Sequence, residues 1–147
     1  MYRHILISTD GSELAERAVT NGLSLAKSLG AKVTVIIVEE SNWLAVSSLA
    51  EHGALEELDK YTEQIKNYAA SALNRAADAA KQAGVPCDTI QVKEAQPYQA
   101  IIATAADRGC DLIVMASHGR SGLSAVVLGS VTNKVLTHTK TPVLVCQ

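Results

Sequence analysis

The stretch "HILISTDGSELAERAVTNGLSLAKSLGAKVTVIIV", His4 to Val38, decides the fold. Its two ends are apolar, β-branched runs: "HILIST", His4 to Thr9, and "KVTVIIV", Lys32 to Val38. Short continuous runs of this kind read as strands covered on both faces. "DGS", Asp10 to Ser12, reads as a turn after the first strand. From Ser12 the period changes. Leu14, Ala18, Leu25 and Leu29 recur at helical spacing, and Gly30 stands where a helix would stop. Strand, helix and a second strand of the same kind make a βαβ unit, whose strands run parallel through a right-handed crossover.

The rest of the chain continues the alternation. "EESNWLAVSSLA", Glu39 to Ala50, fits neither period and is expected to be a loop. A long helix is predicted from Ala54 to Ala83, with Leu55, Leu58, Ile65, Ala69, Ala72, Leu73, Ala76 and Ala80 as its apolar stripe. Gly84 and Pro86 close it. "CDTIQVK", Cys87 to Lys93, alternates as a strand does. Pro97 opens a helix with Ile101, Ile102, Ala105 and Ala106 inward and Gly109 at its end. "DLIVMA", Asp111 to Ala116, reads as a fourth strand. A glycine loop follows, then a short helix from Ser130 to His138, then "TPVLVCQ" as a fifth strand. There is no internal repeat or linker, so residues 1–147 are expected to form one domain. The predicted class is α/β: an open, five-stranded, Rossmann-like parallel sheet with helices on both faces. Ligands of such sheets sit beyond the carboxyl ends of the strands, where the winding reverses. That rule selects "STDGS", "VEES" and "ASHGRSG".

Composition narrows the function classes. Apolar residues are 48% of 147, enough for a folded core, and with no Phe and one Trp that core must be aliphatic. At this length folding buries roughly 68–70% of the unfolded surface, so no staple is required. A net charge of −2 gives no electrostatic reason to expect nucleic acid or an anionic membrane. No apolar run reaches membrane-spanning length and no signal peptide is visible, so the expected location is the cytoplasm. Cys87, Cys110 and Cys146 are odd in number and lack a CxxC spacing, which reads as buried free thiols. His4, His52, His118 and His138 show no metal-ligand spacing, and His4, His52 and His138 are expected at the surface or at element ends.

"MASHGRSGLSAVVLGS", Met115 to Ser130, holds the candidate chemistry. It is no Walker loop, because no Gly-Lys pair exists in the chain, and no dinucleotide fingerprint follows the first strand. "GRSG" is not a nucleophile elbow. Gly129 and Ser130, at the start of the last helix, fit two readings: a phosphate cradle at a helix N-terminus, or a glycine turn with a serine cap. Asp10 could accept hydrogen bonds from a sugar, or it could cap the first helix as Asp10-x-x-Glu13. Arg120 and His118 could screen phosphate charge or sit in a solvated loop. No catalytic pair stands out, so an enzyme is not expected.

Taken together, "ILISTDGSELAERAV", "DLIVMASHGRSG" and "LGSVTNKVLTHTKTPVLV" resemble the universal stress protein family. The nucleotide-binding branch carries Gly-x-x-Gly, nine residues, then Gly-Ser or Gly-Thr. Here Ala116-Ser-His-Gly119, nine residues, then Gly129-Ser130 matches that pattern at every marked position but the first. The resemblance implies an adenine nucleotide alpha hydrolase-like sandwich that binds ATP with a divalent ion such as Mg2+, and a homodimer through the final strand. Ser8, Thr9 and Asp10 would line the adenosine end, with Asp10 near the ribose. Val38 would meet adenine through its backbone, Met115 and Ala116 would flank the nucleotide, and Gly119, Arg120, Gly129, Ser130, Val131 and Thr132 would surround the phosphates. Ala116, Ala95 and Ser8 depart from the family pattern. A left-handed backbone at Ala116 would cost roughly 1–2 kcal/mol. The alternative is a dimeric interaction module of the same fold that binds no nucleotide.

Overall fold

Alternation along the first strand sets the two layers. In β1 (His4–Thr9), Ile5 and Ile7 face one side of the sheet and Leu6 the other, and all three are fully buried. The computed structural model describes residues 1–40, 43–119 and 127–147. Within them the chain runs β1, α1 (Glu13–Leu29), β2 (Lys32–Glu39), α2 (Trp43–Glu51), α3 (Leu55–Ala83), β3 (Cys87–Lys93), α4 (Pro97–Arg108), β4 (Leu112–Ala116), α5 (Ser130–His138) and β5 (Val143–Cys146). The strands form one parallel sheet in the order β3-β2-β1-β4-β5. On one face α1 and α3 cover Ile5, Ile7, Val33, Val35, Ile37, Leu112 and Val114. On the other, α4 and α5 cover Leu6, Ile36, Ile113 and Met115. The fold class and the five strands agree with the sequence reading.

Three details differ. Residues Trp43–Glu51 form helix α2, where a loop was expected. A nine-residue helix is shorter than the about 12–15 residues that hold up alone in water, so its own pattern is weak and packing against α3 makes it. The face that α1 buries is Ala15, Ala18, Val19, Gly22, Leu23 and Ala26, while Leu29 is 39% exposed. Small residues let this helix lie close on the sheet. A Cβ at Gly22 would stand only 2.5 Å from Ile7 Cδ1. In α4 the buried residues are Ala100, Ile101, Thr104 and Ala105, and Ala106 faces out.

His4 stands at an element end, as expected, but it is buried. Its Nε2 lies 2.8 Å from Thr34 Oγ1 and its Nδ1 3.0 Å from the Arg108 carbonyl, which is what makes a buried ring tolerable. His52 and His138 are exposed. Burial, with the Lys32 charge adding to it, pushes the His4 imidazole below its ordinary value of 6.5. The unfolded chain therefore takes up a proton near pH 6.5 that the folded chain resists. Stability is present above that value and lost as the pH falls through it. Asp111 acts lower on the scale. Burial raises its carboxyl, but the amides of Arg3 and His4 outweigh this and hold it below 3.8. The urea midpoint is therefore expected to fall between pH 7 and pH 5, and His4→Gln is expected to flatten that interval. An unchanged slope in the variant would refute the assignment.

Cys110 and Cys146 are buried as expected, whereas Cys87 is only half-buried. Burial, with the neighbouring Asp111 charge, pushes the Cys110 thiol up to about 11.

Candidate functional site

The site begins where the sheet splits. β1 pairs with β4 only as far as Ile7 and Val114. Beyond that, Ser8 and Thr9 stay with β2, opposite Ile36 and Ile37, while Met115 and Ala116 stay with β5, opposite Val145 and Cys146. The winding also reverses here, since β2 and β3 lie on one side of β1 and β4 and β5 on the other. The outcome is an open cleft of about 1350 Å3. This exceeds the roughly 300–1,000 Å3 usual for small-ligand sites.

Ser8, Thr9, Asp10, Val38, Met115, Ala116, Gly119, Gly129, Ser130, Val131 and Thr132 all line this one cleft. Arg120, with Ser121 and Gly122, lies outside the described residues. A second hollow, of about 290 Å3, is lined by Glu13, Leu14, Arg17, Ser117, His118 and Gln147, and among the described residues it shares only His118 with the cleft.

Asp10 does not cap α1. Ser12 does, accepting from the Ala15 amide at 3.3 Å. Asp10 Oδ1 accepts instead from the Ser12 amide at 2.9 Å, which tightens the turn. Its other oxygen leans on Gly119, where a Cβ would collide with it. At Gly119 the Asp10 carboxylate occupies the space a side chain would take.

Gly129 is confined differently. Its amide donates to the Ser117 carbonyl at 2.7 Å, and a Cβ would stand 2.9 Å from His118 Cα and 3.0 Å from the Ser117 oxygen. Close packing of the α5 entry on the β4 loop therefore explains this glycine without a ligand. Gly129 is also the N-cap residue of α5, so Ser130 is the first helical residue and not a cap. Thr132 is buried, and its hydroxyl donates to the Ala116 carbonyl at 2.8 Å, fastening α5 to the end of β4. α5, like α2 and α4, has no acidic residue in its first turn, whereas α1 has Glu13 and Glu16 and α3 has Glu56 and Glu57. The first turn of α5, from Ser130 to Thr132, lines the cleft along with its N-cap Gly129.

No described residue other than glycine has a positive φ, Ala116 included. The left-handed penalty does not arise there. The Ala116 methyl is buried and packs with the core under α1. Ala116→Gly is therefore expected to leave ligand affinity within about threefold of the natural chain, well short of the tenfold that 1.4 kcal/mol of relieved strain would give. A tenfold gain in a binding titration would overturn this.

Sequence reasoning missed one wall. Leu44 from α2 and Tyr61, Ile65 and Tyr68 from α3 also line the cleft. The signal was present, since two of the chain's four tyrosines lie on one face of α3 at helical spacing. Only the second half of that helix, from Ala69 to Ala80, is core.

The ends of β1, β2 and β4 and the first turn of α5 together define an α/β protein with an open cleft at its switch point. The universal stress protein family model matches residues 1–147. Universal stress protein YxiE of Bacillus subtilis is 31% identical over 147 residues, covering 99% of both chains. The solved structure of MJ0577, a universal stress protein of Methanocaldococcus jannaschii, aligns with a TM-score of 0.78 at 32% identity, covering 99% of this chain and 96% of the other. A universal stress protein in complex with cAMP aligns at 0.67 and 27% identity, covering 98% and 95%. The chain belongs to the universal stress protein family.

Proposed function

We propose that this protein binds an adenine nucleotide, ATP, in the cleft between β1 and β4, and acts in the stress response as a cytoplasmic homodimer. The observation that carries the reading is convergence: eleven residues expected to contact the ligand, drawn from separate segments of the chain, line one cleft. Asp10 and the ends of β1 and β2 supply the adenosine end. Gly119 and the first turn of α5 supply the phosphate end. A relative at 27% identity holds cAMP, which supports an adenine nucleotide as the ligand class. Among the described residues no three His, Cys, Asp or Glu side chains form a metal group. A Mg2+ ion would therefore be held chiefly by the phosphates of the ligand.

β5 is an edge strand without a charged residue, and its Leu144 is 41% exposed. Such an edge calls for cover, and a second copy supplies it. Among the described residues no helix is long and apolar enough to cross a membrane.

One observation favours the nucleotide-free module: Gly129 is accounted for by packing alone. Titration of the purified chain with ATP separates the two readings.

A further inference from the structure

Asp10 is held at both its side chain and its main chain. The Ser12 amide binds one carboxylate oxygen and Gly119 leaves room for the other. The main chain is held as well: the Tyr68 hydroxyl donates to the Asp10 carbonyl at 3.1 Å, from a residue 58 positions away. The contact is shaped on both sides. Gly11 has φ 78°, and a Cβ there would stand 2.6 Å from the phenolic oxygen and 2.9 Å from the ring. The turn after β1 thus fits against the phenol. Tyr68 is itself well placed, because the next residue, Ala69, is 2% exposed and belongs to the core. Tyr68 also lines the cleft.

We infer that Tyr68 is a positioning residue for Asp10, and that it thereby sets the preference of the cleft for a ribose over a sugar lacking the 2′ and 3′ hydroxyls. This rests on the nucleotide reading above, with Asp10 facing the ribose. A carboxylate discriminates hydroxyls only when its oxygens are held to about 0.5 Å, and binding groups keep such positions through their supporting contacts. Tyr68 anchors the Asp10 main chain to α3. Without the hydroxyl the ring still fills the space over Gly11, but the carbonyl loses that anchor.

The experiment measures ATP and 2′,3′-dideoxy-ATP binding by calorimetry for the natural chain, Tyr68→Phe, Asp10→Ala and the double variant. The natural chain is expected to prefer ATP. Tyr68→Phe is expected to weaken ATP about three- to tenfold, the range that one hydrogen bond supports. It should leave dideoxy-ATP binding unchanged, lower the melting temperature by no more than the few degrees that loss of one hydrogen bond supports, and weaken ATP no further in the Asp10→Ala background. Equal weakening of both nucleotides, or no weakening of either, overturns the inference. If the natural chain prefers ATP through Asp10 and ignores Tyr68→Phe, the inference alone fails. If the natural chain binds neither nucleotide, the functional reading fails with it.

Discussion

Gly129→Ala is expected to lower stability by about 1–3 kcal/mol, the cost of forcing an extra methyl into packed surroundings. The added carbon would meet main-chain atoms, the His118 Cα at 2.9 Å and the Ser117 oxygen at 3.0 Å, not the tip of a side chain that could swing away. Relief requires the α5 entry to move off the β4 loop. That movement stretches the 2.7 Å bond from the Gly129 amide to Ser117 and disturbs the Thr132 bond to Ala116. A lower urea midpoint with an unchanged denaturant slope is the expected signature. ATP affinity should fall as well, because the first turn of α5 shifts. A midpoint equal to that of the natural chain would mean that the close approach is not a constraint.

Gly119→Ala is expected to do the reverse, keeping the fold and losing the ligand. Gly119 is exposed, and the nearest atom to an added Cβ is Asp10 Oδ2. The carboxylate must turn aside, which also strains its bond to the Ser12 amide. If Asp10 binds the ribose, ATP affinity drops at least about tenfold, or 1.4 kcal/mol, with the urea midpoint nearly unchanged. Retained ATP affinity in a folded Gly119→Ala protein would separate Asp10 from the ligand. On these outcomes the two glycines of one sequence pattern would serve different ends, one supporting the fold and the other the site.

The sequence carried the strands because buried parallel strands are written as continuous apolar runs, and "HILIST", "KVTVIIV" and "DLIVMA" leave little else to read. It carried much of the cleft because the switch-point rule needs only strand ends, and Ser8 to Asp10, Val38, Ala116, His118 and Gly119 follow directly, while Met115 came with the family resemblance. Other features were set by contacts between segments distant in the chain. Helix α2 depends on α3, and the buried face of α1 uses alanines and Gly22 where the leucines drew attention. Tyr68 read as neither core nor site, because its partner Asp10 is 58 residues away. Ala116 posed two questions: its backbone angle, which is not left-handed, and whether its methyl meets a ligand, which a binding titration of Ala116→Gly tests.

Calorimetric titration of the purified chain with ATP in the presence of Mg2+, after any bound nucleotide has been removed and identified, tests the central claim most directly. The expected result is a saturable, single-site isotherm complete below millimolar ATP, abolished by Asp10→Ala in a folded protein. A flat isotherm at millimolar ATP, from protein that also released no nucleotide on denaturation, would contradict it.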